Sequence, residues 1–239
     1  QIPINLKNPT QIAVGSDHAC VVTDDGVKCW GENDFRKSDT PSGLKHPTKI
    51  FSGDDGSCAL TDEGPECWGR QSDVPEKLKD KNLSQLALGA FRSCALADNG
   101  VTCWGDATFV PDFHYYKPTQ IAVGLYHACV VLEGKFLQCW GGNEYGQAEP
   151  PPLKNPAKIA LGYEHSCALT DEGVKCWGNN RFGQTSVPPG LKNPTQIALG
   201  MNHTCAITAN GVKCWGDNSD GRTNVPSGLK NPTQIALGY

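Results

Sequence analysis

One tripeptide constrains the architecture of this chain more than any other feature. Cys-Trp-Gly recurs six times, with its tryptophan at Trp30, Trp68, Trp104, Trp140, Trp177 and Trp215, and it uses every tryptophan among the 239 residues. A second cysteine precedes each copy, so all 12 cysteines fall in register as Cys20/Cys29, Cys58/Cys67, Cys94/Cys103, Cys129/Cys139, Cys167/Cys176 and Cys205/Cys214. The first cysteines advance by 38, 36, 35, 38 and 38 residues. A period near 40 means one supersecondary unit stacked on copies of itself.

The fifth unit shows what that unit is. Short apolar runs cover 157–162, 166–170 and 174–177, and a weaker fourth run covers 185–187 before Pro188-Pro189-Gly190. Runs this short, bounded by Gly, Pro, Asn and Asp, are strands. Four short strands per unit is the spacing of a propeller blade. The runs are apolar at nearly every position, as expected for strands covered on both faces by neighbouring blades. The expected fold is therefore all-β: a single β-propeller domain over 1–239, with repeats near 9–46, 47–82, 83–117, 118–155, 156–193 and 194–231 and a partial copy at 232–239. Residues 2–15 match 225–238 almost position for position. The Pro-to-Gly segment thus occurs seven times and the Cys hairpin six, which favours six complete blades over seven. The chain begins at Gln1 without a Met, as a processed or excised form would.

Within the fifth hairpin, a loop over Thr170-Asp171-Glu172-Gly173 pairs residues whose numbers add to 343 and sets Cys167 opposite Cys176, with Gly173 in the left-handed position that closes such a turn. Directly opposed Cβ atoms can reach disulfide geometry. Cys129 and Cys139 have nine residues between them instead of eight, so the fourth hairpin is expected to contain a bulge. Zinc is the competing reading, but one cysteine pair per hairpin supplies only two ligands. Six local disulfides imply an oxidising compartment: secreted, cell-surface or periplasmic.

Around the cysteines lie Gly-x-x-His (Gly15 to His18, Gly124 to His127, Gly162 to His165, Gly200 to His203), Ala-Leu-Thr-Asp-x-Gly, and Trp-Gly-x-Asn-x-x-Gly-Gln (Trp140 to Gln147, Trp177 to Gln184). On these motifs nearly the whole chain resembles the regulator-of-chromosome-condensation repeat family. The resemblance implies a β-propeller and the roles that such propellers fill: nucleotide exchange factor, secreted β-lactamase inhibitory protein, or interaction module. Gly183 to Pro188 is closest in style to the secreted inhibitor. The cysteine pairs depart from both that inhibitor and the nuclear factor and point away from a nuclear role.

Connections in an up-and-down blade alternate between its two ends. The Gly-x-x-His and Trp-Gly-x-Asn loops therefore share one face, and the Asp-Glu-Gly turns share the other with the Lys-bearing crossovers. On the first face this places Phe35, Phe91, Phe109, Tyr126, Tyr145, Tyr163, Phe182 and, by alignment, Tyr239, together with Met201. Residues there differ between units while aromatics persist, the pattern of a surface free to serve a partner. Phe35, Phe91, Phe109, Tyr126, Tyr145, Tyr163, Phe182 and Met201 are thus the expected partner-binding residues. Lys7, Lys45, Lys79, Lys154, Lys192 and Lys230 on the other face stand among carboxylates and read as a solvated surface.

A net charge of −4 gives no electrostatic warrant for nucleic acid, and no apolar run approaches the length of a membrane-spanning helix. The recurring histidines read as loop supports, because Gly56 and Arg92 replace them in two units. Asp217 to Gly221 lacks the bidentate glutamate of a calcium loop. No acid, base or nucleophile cluster stands out, so no catalytic residue, metal or cofactor is expected. The expected function is a non-catalytic extracellular module that binds a protein or a cell-surface glycan through its aromatic face. A lectin with repeated inter-blade pockets and a secreted inhibitor of an enzyme such as a β-lactamase are the alternatives.

Overall fold

The computed structural model describes residues 3, 5–70, 72–79, 83–98, 100–106, 109–113 and 115–238. They form two compact units, 1–110 with Gly238 and 111–237. Unit 1 holds three sheets: β1 (Gln11–Val14), β2 (His18–Thr23) and β3 (Gly26–Gly31); β4 (Lys49–Ser52), β5 (Gly56–Thr61) and β6 (Gly64–Gly69); β7 (Leu83–Leu88), β8 (Arg92–Ala97) and β9 (Gly100–Gly105). Unit 2 holds three more: β10 (Pro118–Val123), β11 (His127–Leu132) and β12 (Phe136–Gly141); β13 (Lys158–Leu161), β14 (His165–Thr170) and β15 (Gly173–Gly178); β16 (Gln196–Leu199), β17 (His203–Thr208) and β18 (Gly211–Gly216). Every sheet is antiparallel, in sequence order.

The hairpin register follows the sequence reading. Thr170 pairs with Gly173 and Cys167 with Cys176. Gly173 has φ +99°, and the Thr170 hydroxyl donates to its carbonyl (2.9 Å) while accepting from the Glu172 amide. All six cysteine pairs are bonded within their hairpins: Cys20–Cys29, Cys58–Cys67, Cys94–Cys103, Cys129–Cys139, Cys167–Cys176 and Cys205–Cys214. Their Cα atoms are 4.0 to 4.1 Å apart, the close spacing of a non-hydrogen-bonded antiparallel pair. Each ring contributes about 2–3 kcal/mol on the loop-entropy account.

Two expectations are corrected. The fourth hairpin contains no bulge in its strands: β11 and β12 pair without a break, and the turn Glu133-Gly134-Lys135 absorbs the additional residue with Gly134 and Lys135 at positive φ. Register breaks occur instead between the first and second strands, at Pro118/Gln120 and Leu83/Gln85.

The blades have three strands, not four. Residues 185–187 form no strand, because the loop folds onto its own side chain: the Thr185 amide donates to Asn180 Oδ1 and the Val187 amide to the Thr185 carbonyl. Pro188 then offers no donor.

The missing strand opens an edge and not a face: in the fifth sheet Ala168 and Trp177 pack on the sheet before, and Cys167 and Val174 on the sheet after. The third strand is the outer edge of its sheet, and the two cysteines of each disulfide differ in burial accordingly. Cys20, Cys58, Cys94, Cys129, Cys167 and Cys205, on the central strands, are buried. Their partners Cys29, Cys67, Cys103, Cys139, Cys176 and Cys214, on the edge strands, are only half-buried.

Within each unit the sheets stand side by side, β1 against β4 and β4 against β7, then β10 against β13 and β13 against β16. No backbone ladder joins these first strands. A glutamine does: Gln120 donates to the Ile159 carbonyl (3.2 Å) and accepts from its amide (3.1 Å), and Gln11 does the same to Ile50. The amide pair satisfies strand edges that would otherwise be open. Gln196 grips Thr233 and Ile235 in the same way, so the partial seventh copy docks on the sixth sheet although its described residues form no strand.

The core fills the space between successive sheets. Cys129 and Val131 meet Ile159, Ala168 and Trp177; Cys167 and Val174 meet Leu199, Ala206 and Trp215. Five tryptophans are 6 to 8% exposed. Trp30 is half-buried.

Candidate binding surface

Backbone bonds settle which loops lie together. After each third strand, the first loop amide donates to the turn between strands one and two: Glu32 to Asp17, Arg70 to Asp55, Asp106 to Phe91, Gly142 to Tyr126, Asn179 to Glu164 and Asp217 to Asn202. At the other end of the sheets, the turn amides of Asp24, Asp62, Glu133 and Asp171 donate to the carbonyls of Lys7, Lys45, Lys117 and Lys154. The alternation read from the sequence therefore holds in each unit.

The loop after the third strand is built around two side chains. In the fifth sheet Asn180 Oδ1 accepts from Thr185, and the buried Gln184 accepts on Oε1 from the Phe182 amide (2.9 Å); Asn143 and Gln147 do the same for Ala148 and Tyr145 in the fourth. The Gln147 carbonyl accepts from two groups of the next sheet, Trp177 Nε1 and Ser166 Oγ, both at 2.9 Å. Gln184 repeats this for Trp215 and Thr204. These contacts turn the rings outward, leaving Tyr145 50% and Phe182 46% exposed.

The histidines belong to the same clamp. Because Thr204 Oγ1 donates to the Gln184 carbonyl, it accepts from His165 Nε2, 2.9 Å away. His165 is fully buried, its Nδ1 has no hydrogen-bond partner among the described residues, and burial lowers its pKa to about 3. Burial, reinforced by Lys37, lowers that of His18 to about 4. These are neutral structural groups. A Cβ on Gly162 would lie 2.4 Å from the Gly200 carbonyl and 2.5 Å from His165 Cε1, which is why glycine opens the turn.

Unit 1 departs from the pattern. Lys37 stands where Gln147 and Gln184 stand in unit 2, with its carbonyl accepting from Trp68 Nε1 (3.0 Å). Its side chain is buried, and Nζ lies 3.5 Å from Asp55 and 3.8 Å from Glu32. Phe35 and Arg36 both have positive φ, +57° and +62°, a strained conformation for non-glycine residues; Gly146 and Gly183 occupy the position of Arg36 in unit 2. The guanidinium of Arg70 lies over Phe35 at 5.6 Å and over Phe91 at 5.4 Å, with Nη1 3.5 Å from Asp55.

The expected binding residues divide between the units. Phe35, Phe91 and Phe109 are in unit 1, with Phe35 60% and Phe109 73% exposed and Phe91 partly covered. Tyr126, Tyr145, Tyr163, Phe182 and Met201 are in unit 2, where Tyr163 and Met201 are partly covered. Tyr239 lies outside the described residues. The sequence reading passed over a second aromatic group at the crossover end of unit 2: Tyr116 packs on Phe136 at 5.2 Å beside Tyr115, which is 91% exposed. Its signal was available, since Tyr115-Tyr116 stands where three other crossovers have Gly43-Leu44, Gly190-Leu191 and Gly228-Leu229, and Phe136 replaces a turn glycine. Among the described residues no three His, Cys, Asp or Glu side chains converge as a metal site requires. The cavity beside Gly56, where the imidazole is missing, holds about 10 Å³, room for one water at most.

Comparison with known proteins places this geometry. Residues 10–36, 119–147, 157–184 and 195–222 match the Regulator of chromosome condensation (RCC1) repeat. The ectodomain of the Physcomitrella patens receptor kinase CR4 superposes with a TM-score of 0.76 at 24% identity, covering 96% of this chain and 68% of that one. The CRINKLY WD40 ectodomain of the Arabidopsis thaliana receptor kinase ACR4 gives 0.70 at 27%, covering 86% and 78%. Yeast RCC1 (Prp20), solved bound to Kap60, gives 0.73 at 18%, covering 92% and 72%. No curated protein matches the sequence significantly.

Proposed function

Because the chain is an RCC1-like repeat propeller with a disulfide in each of its six hairpins, we propose that it is an extracellular, non-catalytic module that binds a protein partner through the loops following its third strands and the turns beside them. One observation carries this reading: the Asn–Gln clamp that fixes these loops is repeated, while the residues it presents are not. Tyr145 and Phe182 emerge from nearly identical loops beside different neighbours, Gly142 and Glu144 in one case, Asn179 and Arg181 in the other. Rigid, exposed aromatics with one polar edge make interface anchors at low entropic cost. A lectin would be expected to reuse one set of polar groups from sheet to sheet, and Leu125-Tyr126, Tyr163-Glu164 and Met201-Asn202 occupy equivalent turns. Ectodomain neighbours and the disulfides support an extracellular setting.

The experiment is a parallel screen of the oxidised protein against a glycan array and a panel of secreted and cell-surface proteins, repeated with a Tyr145→Ala/Phe182→Ala variant. A protein hit that the variant loses supports the reading. Hits confined to glycans, or hits indifferent to both substitutions, overturn it.

A further inference from the structure

We infer that the loop end of unit 2 receives an arginine or lysine side chain of a protein partner, seated on Tyr145 beside Glu164. This deepens the reading that these loops form the binding surface, and rests on it.

The chain carries its own version of the contact. In unit 1 the Arg70 guanidinium is held by Phe35 and Phe91 and by Asp55. The repeat gives each of three participants a counterpart. Tyr145 follows Trp140 by five residues, as Phe35 follows Trp30. Glu164 stands two residues after Gly162, as Asp55 stands after Gly53. Asn179 follows Gly178 as Arg70 follows Gly69, and the Asn179 amide donates to the Glu164 carbonyl at 2.8 Å, as Arg70 does to Asp55. Unit 2 thus has one of the two rings and the carboxylate, with Asn202 where Phe91 stands, but a neutral amide in place of the cation. The Asn179 side chain donates to Glu164 Oε2 (2.8 Å). Among the described residues no cation lies over Tyr145 and none pairs with Glu164.

Charge around the site has the matching sign. The unit 2 loops at this end carry five carboxylates against two guanidinium groups, and one of these, Arg222, is paired with Asp220 at 2.9 Å. The turns and crossovers at the other end carry five lysines against four carboxylates. A basic segment is therefore steered to the loop end, where a cation over the Tyr145 face is attracted by the ring quadrupole.

The test titrates the oxidised protein with three Gly-Ser peptides of one design, bearing arginine, citrulline or glutamate, at low and at physiological salt. The arginine peptide is expected to bind, and the other two to bind at least about tenfold more weakly. Tyr145→Ala and Glu164→Gln should each weaken arginine binding about tenfold. Asn179→Arg should abolish it by installing the chain's own guanidinium, while the opposite-end Glu172→Gln leaves it unchanged. Near-UV circular dichroism and disulfide mapping establish that the variants are folded. Equal binding of the citrulline or glutamate peptide, or arginine binding indifferent to Tyr145, Glu164 and Asn179, overturns the inference. If a non-arginine peptide is lost on Tyr145→Ala, only the partner's chemistry was wrong. If a protein found in the screen binds independently of Tyr145 and Phe182, the surface itself was wrong.

Discussion

The indole nitrogen of Trp177 donates to the backbone carbonyl of Gln147, 2.9 Å away and 30 residues earlier in the chain. This bond joins the most repeated residue of one sheet to the loop that displays Tyr145 on the sheet before it. The surface loops are thereby held by the inter-sheet core, and stability and display share one contact.

Trp177→Phe removes the donor and keeps most of the apolar volume. It should cost about 1 kcal/mol, because the carbonyl still accepts from Ser166. Trp177→Ala should cost about 3–5 kcal/mol through the cavity it leaves. Urea denaturation of both variants separates the two contributions.

Gly162→Ala should destabilise by about 2 kcal/mol or more, since its Cβ would collide with the Gly200 carbonyl and the His165 ring, neither of which can move without opening the inter-sheet clamp. Gly190→Ala is the useful contrast. That residue has open space around it and φ +79°, so only conformational strain opposes the change, about 1 kcal/mol. Thermal melts of the two variants give the comparison.

Acid should weaken the fold through the buried histidines. An unfolded histidine takes up a proton near pH 6.5, whereas folded His165 does so only near 3 and His18 near 4. Between those values the unfolded chain binds more protons, so stability is full above about pH 6.5 and falls as the pH drops toward 4, by about 1.4 kcal/mol per pH unit for each such histidine once well below 6.5. Denaturation midpoints measured from pH 7 to 4.5 should show this slope, and His165→Asn should flatten it.

Non-reducing peptide mapping should recover six intra-hairpin disulfides and no free thiol. Replacing Cys167 and Cys176 together by alanine should cost about 2–3 kcal/mol. A cross-hairpin peptide would contradict the register in which Cys167 faces Cys176.

The repeat made much of this legible, because Trp, Cys and Gly recur for reasons that act identically in every sheet. The Cys167–Cys176 register follows from turn length alone, and the grouping of loops follows from strand alternation. What escaped lies mostly where a unit departs from its siblings. Lys37 carries no sign of burial in its own chemistry; only its alignment with Gln147 and Gln184 marks the position as buried. Tyr115, Tyr116 and Phe136 are single departures from a crossover and a hairpin turn that elsewhere present lysine and glycine. The fourth strand is a different kind of miss. It was inferred from Thr185 to Val187, a weakly apolar run whose amides are taken by Asn180 and Thr185 before any neighbour could pair with them. Without it the edge cysteines Cys29, Cys103 and Cys214 keep part of their surface, while Cys20, Cys94 and Cys205 across each bond do not.

The account divides the molecule into a clamped scaffold and a displayed aromatic surface, and one measurement tests that division most directly. The first protein recovered from the screen is titrated at physiological ionic strength against two variant sets, Tyr145→Ala and Phe182→Ala on one side, Lys154→Ala, Lys192→Ala and Lys230→Ala on the other, with melting temperatures recorded alongside. The account predicts that each ring truncation weakens binding by about 2 kcal/mol with little change in melting temperature, and that the lysine set binds like the unmodified protein. Loss confined to the lysine set, or loss in neither, would contradict it.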